Sequence, residues 1–71
     1  MEAGFSIFKI NYSLKGVDGA YYPDIEFCPI RLENDEGEEK SFFSTREVAV
    51  HYLEKSGMKG EFVALEVFTN L

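Results

Sequence analysis

The stretch from Phe43 to Met58 constrains this chain most, because it carries both a start and a stop signal for one short helix. Ser44 followed by Glu47 has the spacing of a capping box, in which a hydroxyl accepts from the amide three residues on and a carboxylate reaches back. Phe43 and Val48 have the spacing of a hydrophobic staple around that cap. At the other end Gly57 is placed to take the left-handed conformation that closes a helix, with Leu53 and Met58 at its apolar contact. Val48, Ala49, Tyr52 and Leu53 fall on one face. One helix of about three turns is expected here.

The rest of the chain reads as strands. Residues 5–14 alternate Phe8, Ile10, Tyr12 and Leu14 with Lys9, Asn11 and Ser13, the period of a strand, while Phe5 and Ile7 lie on the opposite side. Residues 15–24 hold two glycines, Pro23 and an Asp18-Gly19 turn signal, and predict a ten-residue loop that presents Tyr21 and Tyr22. Residues 25–34 form a second strand whose apolar parity changes from Ile25 and Phe27 to Ile30 and Leu32. Pro29 lies at the change, and proline cannot donate to a ladder, so it sits at an edge or in a bulge, and a bulge at Cys28-Pro29 is the expectation. Asn34-Asp35-Glu36-Gly37 reads as a hairpin turn before a third strand at 38–43, which runs into the helix. A last strand at 61–69 carries Val63, Leu65 and Val67 on one face and Phe62, Ala64 and Phe68 on the other.

The order β-β-β-α-β predicts a single α+β domain over residues 1–71, with one helix packed on one face of a four-stranded mixed sheet. Right-handed crossovers and short connections place the last strand beside the first and parallel to it, in the sheet order 3-2-1-4.

That architecture leaves a surface without a partner. A lone helix shelters one side of the sheet, yet the first and last strands are apolar on both sides. Parity alone does not choose the face that the helix covers. Three covers are open: the 15–24 loop, a different protein, or a second copy of the chain. Monomers rarely expose large contiguous apolar patches, and two-fold dimers are the commonest closed assemblies. The expectation is a symmetric homodimer, sheet face to sheet face or edge to edge, anchored by aromatic residues, of which the chain has seven Phe and four Tyr. Phe8, Tyr12, Tyr21, Tyr22, Phe62 and Phe68 are the candidate interface residues, since aromatics dominate interface energetics.

Chemistry at single residues is sparse. The only histidine, His51, lies off the apolar stripe of the helix and reads as solvated. Cys28, the only cysteine, sits in an apolar strand with no basic neighbour to activate it. No Cys/His spacing fits zinc, and the glycines fit neither a phosphate loop nor a dinucleotide fingerprint. No enzyme activity, cofactor or metal is expected.

Thirteen acidic against seven basic residues give a net charge of −6, and the basic residues are scattered. Direct binding to nucleic acid or to an anionic membrane is therefore disfavoured. A single cysteine, no signal-peptide pattern and no apolar run near 20 residues lead to the expectation of a soluble, cytoplasmic protein. Five of the acids, Glu33, Asp35, Glu36, Glu38 and Glu39, gather around the hairpin turn. They support an alternative reading, in which an acidic surface mimics a nucleic-acid backbone and inhibits a DNA- or RNA-binding protein. Small acidic inhibitors from phage and mobile elements are similar in size and charge.

Overall fold

In a computed structural model that describes residues 1–70, the longest element is β1, Glu2–Val17. It is followed by β2 (Ala20–Pro29), β3 (Leu32–Glu33), β4 (Glu39–Lys40), α1 (Arg46–Ser56) and β5 (Phe62–Thr69). The fold is α+β. The main sheet has three strands in the order β2-β1-β5, all antiparallel, and β3 and β4 form a separate two-stranded sheet. Among the described residues no helix is long and apolar enough to cross a membrane.

The expected ten-residue loop is instead the far end of a hairpin. Val17 pairs with Ala20, so Asp18 and Gly19 alone make the turn, with φ of 49° and 81°. Two successive left-handed residues twist a two-residue turn in the same sense as its strands, which lets pairing run to the last residue. Tyr21 and Tyr22 consequently lie on opposite faces of β2 rather than together on a loop.

The expected bulge is absent too. Pairing is unbroken from Val17/Ala20 to Phe8/Pro29. The Ile30 amide donates to the Ile7 carbonyl at 3.0 Å, whereas the Ile10 amide donates to Glu61 on the other side at 2.9 Å. Odd residues of β1 therefore bond towards β2, and even residues towards β5. Pro23 and Pro29 oppose the even residues Leu14 and Phe8, so their missing amides point to the open edge of the sheet. The parity change at Ile30 marks the chain crossing into the core beneath the helix.

The sheet is neither four-stranded nor mixed, and β5 is antiparallel to β1. Only Glu39 and Lys40 of the expected third strand pair, and they pair with β3. The chain then touches β1 at one residue, where Phe43 bridges Phe5. It returns at Phe62 opposite Lys9. The helix thus carries the chain from one end of the paired half of β1 to its middle, and β5 must run back down.

Thr45, not Ser44, caps the helix: its hydroxyl accepts from the Val48 amide at 3.2 Å. The shift by one residue removes the capping box and the staple, and Phe43 enters the core instead, 5.7 Å from the Tyr52 ring. Gly57 closes the helix in the left-handed conformation, φ 70°, as its position requires. The fully buried core is small: Ile7, Leu32, Phe43 and Ala49, flanked by Phe5, Tyr52, Leu53 and Phe62.

Candidate functional site

Alternation along the paired strands sorts every side chain of the sheet onto one of two faces. Phe5 and Ile7 of β1 and Phe62 and Ala64 of β5 belong to the face that meets the core cluster, with Ala49, Tyr52 and Leu53 of the helix above them. The other face holds Phe8, Ile10, Tyr12 and Leu14 of β1, Tyr21, Pro23, Ile25, Phe27 and Pro29 of β2, and Val63, Leu65 and Val67 of β5. Between Gly4 and Gly16 of β1 and along their partners the one charged side chain on it among the described residues is Glu61, opposite Ile10 at the edge. The helix-free face is predominantly apolar, with the Ser6 hydroxyl at one end and the Glu61 carboxylate at its edge.

One end of this face is covered from within the chain. Phe42 lies over Gly4, where an added Cβ would collide with its ring. The Ser6 hydroxyl, almost fully buried, donates to the Ser41 carbonyl. From Phe8 onward the cover stops. Tyr12 and Leu14 are 60% and 73% exposed, Ile25 and Phe27 about half exposed. At its margin the Glu61 carboxylate, through hydrogen bonding first, raises the Tyr12 phenol above its ordinary value.

β5 ends opposite Lys9, so residues 11–17 of β1 and their partners in β2 project as a two-stranded arm. Every residue from Asn11 to Pro23 is exposed. The arm is amphipathic, because its second face carries Asn11, Ser13, Lys15, Asp24 and Glu26. Lys15 and Asp24 pair there at 3.4 Å. The projection gives the molecule extents of 50 × 30 × 17 Å and a radius of gyration of 15.0 Å, against about 11 Å for a spherical domain of this length.

The six aromatic residues named from sequence divide between the faces. Phe8, Tyr12 and Tyr21 lie on the helix-free face. Tyr22 and Phe68 lie on the helix side of the sheet, both exposed, and Phe62 packs against the core. The structure adds Ile10, Leu14, Ile25, Phe27, Val63, Leu65 and Val67 to the apolar face. Their signal was present in the period-two pattern of each strand, but linking three strands into one surface requires the register.

The acidic cluster forms a separate structure. The Asn34 side-chain oxygen accepts from the Glu36 and Glu38 amides at 2.9 and 3.0 Å, and so shapes the β3–β4 turn. Asp35 accepts from Lys55 at 2.6 Å and from the Tyr52 hydroxyl at 3.2 Å. The Lys55 hydrogen bond, then its charge, hold the Asp35 carboxyl below the usual carboxylate range. Lys40 lies 3.7 Å from Glu38. The cluster therefore ties the hairpin to the helix and has part of its charge balanced. An open depression of about 380 Å³ beside it is lined by Glu33, Asn34, Lys55 and Ser56.

His51 is exposed and stacks edge-on with Tyr52. Cys28 is half-buried, and its sulfur accepts from the Asn11 amide group at 3.3 Å. Among the described residues no three His, Cys, Asp or Glu side chains gather closely enough to hold a metal ion. The fold and this surface define a small α+β protein with one open sheet face. No family model, curated protein or solved structure matches the chain.

Proposed function

We propose that the protein is a small non-enzymatic interaction module that acts through protein–protein contacts and self-associates as a homodimer by the helix-free face of its sheet. The observation that carries this reading is the unbroken apolar surface from Phe8 to Leu14 and across Ile25, Phe27 and Leu65. Its extent supports a second copy as the cover. The accessible surface is 5389 Å², whereas a folded monomer of 8.1 kDa averages about 4,500 Å². The excess, about 900 Å², is close to the roughly 800 Å² that each partner contributes to a standard interface.

Face-to-face packing would bring the Tyr12, Ile25 and Phe27 side chains of each copy into a seam about 10 Å thick, as in sandwiches of two sheets. The acidic hairpin is the weaker candidate for function, because Lys55 and Lys40 already engage two of its five carboxylates.

Sedimentation equilibrium from about 1 μM to several hundred micromolar tests the proposal. The mass should rise from 8.1 kDa to at least twice that value. Phe27→Asp places one unpaired carboxylate per copy in the seam, at several kcal/mol, and should weaken association more than about 100-fold. A wild type that stays at 8.1 kDa throughout removes the proposal.

A further inference from the structure

We infer that the free edge of β1 in the arm is a second self-pairing site, where two copies join their arms as antiparallel strands through a two-fold axis at Leu14. The inference rests on the self-association reading and names a contact distinct from the apolar face. Even residues of β1 bond towards β5, and the last such bond is from Ile10 to Glu61. Beyond it, Tyr12, Leu14 and Gly16 direct their amides and carbonyls to an edge that no strand of this chain occupies among the described residues. An exposed edge of this length is a template for another strand.

The geometry selects the same arm of a second copy. Antiparallel pairing about Leu14 sets Tyr12 opposite Gly16 of the other copy, Leu14 opposite itself, and Gly16 opposite Tyr12. All three free residues on each side are then bonded, giving six backbone hydrogen bonds. A register shifted by two towards β5 would force Gly16 onto Ile10, whose amide is already engaged. One shifted the other way leaves Tyr12 unpaired. In this register each arm fills the vacant edge as far as Val17, and its Asp18-Gly19 turn abuts Glu61 of the other copy, which already bonds Ile10.

Charge agrees with this occupant. Although the chain carries −6, β1 from Phe5 to Val17 has Lys9 and Lys15 and no acidic residue. Between Tyr12 and Gly16 no like charges oppose each other across the seam, and the like charges that approach are Asp18 and Glu61 at its two ends. The Tyr12 ring would meet Gly16 of the other copy beside the Tyr21 ring that already lies against that glycine. The two-fold is perpendicular to the sheet, so both apolar faces point the same way. Two seam-joined pairs stacked by those faces would close four copies with three perpendicular two-folds, a common closed symmetry.

Cysteine cross-linking in a Cys28→Ser background tests the register. Ser13 and Lys15 oppose each other in the non-hydrogen-bonded pairs of the seam, with Cα atoms about 4.5 Å apart, inside the range that a disulfide spans. Both lie on the helix side of the sheet, away from the apolar face. Ser13→Cys combined with Lys15→Cys should give a covalent dimer under mild oxidation, and neither single variant should. Leu14→Pro, which removes the central donor of the seam but no β1–β2 bond, should abolish the cross-link. Failure of the double variant to cross-link, or equal cross-linking by a single variant, overturns the inference.

The two contacts separate cleanly. If the face contact is absent and the seam present, Phe27→Asp leaves both mass and cross-link intact, and the inference stands without its parent reading. If the seam is absent and the face contact present, mass still doubles and Phe27→Asp abolishes it, while no cross-link forms.

Discussion

Gly4→Ala should unfold this protein at markedly lower denaturant, because the space a methyl group needs is occupied by the segment that leads into the helix. The added carbon would meet the Phe42 ring and come within 2.5 Å of the Phe43 carbonyl oxygen. The ring can rotate outward, but the carbonyl is held. It accepts from the Phe5 amide at 2.7 Å, and the Phe43 amide donates back to Phe5 at 2.8 Å, with the Phe43 side chain 6% exposed in the core. Relief requires either an overpacked geometry, typically about 1–3 kcal/mol, or loss of two hydrogen bonds at about 1 kcal/mol each. By either route the loss is about 1–3 kcal/mol. A chain of this length holds about 4–11 kcal/mol in all, at roughly 0.05–0.15 per residue. The assay is urea unfolding followed by circular dichroism, at one fixed low concentration because association adds apparent stability. With m near 1 kcal/mol/M, the midpoint should fall by about 1 M or more. Phe42→Ala added to Gly4→Ala should recover the part due to the ring and leave the part due to the carbonyl. A Gly4→Ala midpoint within about 0.5 M of wild type would refute the placement of residues 42 and 43 on β1, and with it the internal cover of that end of the apolar face.

Three further outcomes are expected. Thr45→Ala should cost about 1 kcal/mol, and Ser44→Ala within about 0.5, since only the Thr45 hydroxyl caps the helix; equal losses in urea unfolding would return the cap to Ser44. Asp35 has its folded pKa depressed by Lys55, so its contribution is present above the unfolded carboxyl pKa and is lost as pH falls through the lower folded value. Asp35→Asn should therefore show a shallower decline in stability below about pH 4 than wild type, and an identical decline would sink the ion pair. Gly19→Ala forces a side chain into φ near 81° at roughly 1–2 kcal/mol and should speed amide exchange along the arm, residues 12–17 and 20–25; unchanged exchange would argue against the two-residue turn.

Local signals gave the elements but not their partners. The helix, its glycine stop, the acidic hairpin turn and the last strand were all readable, because capping, turn chemistry and period-two alternation act within a few residues. The cap moved by one position because Ser44 and Thr45 both suit it, and only packing of Phe43 against Tyr52 chose between them. Pro23 read as part of a loop and Pro29 as an edge or bulge residue with the bulge favoured, whereas β2 is an unbroken edge strand with both prolines at its open side. Tyr22, Phe62 and Phe68 were grouped with Phe8, Tyr12 and Tyr21 because aromatic content can be counted in sequence, whereas the face each residue occupies depends on register with another strand.

The amino-acid sequence by itself determined that this chain has one helix and more apolar strand surface than that helix can shelter, since composition and periodicity are properties of neighbours along the chain. Tertiary structure decided which surface is left over. Pairing between β1 and residues up to 67 positions away set Ile7 under the helix and Phe8 on the open side, and ended β5 before the arm began. Those are contacts between distant residues, whose free energy depends on how whole strands meet.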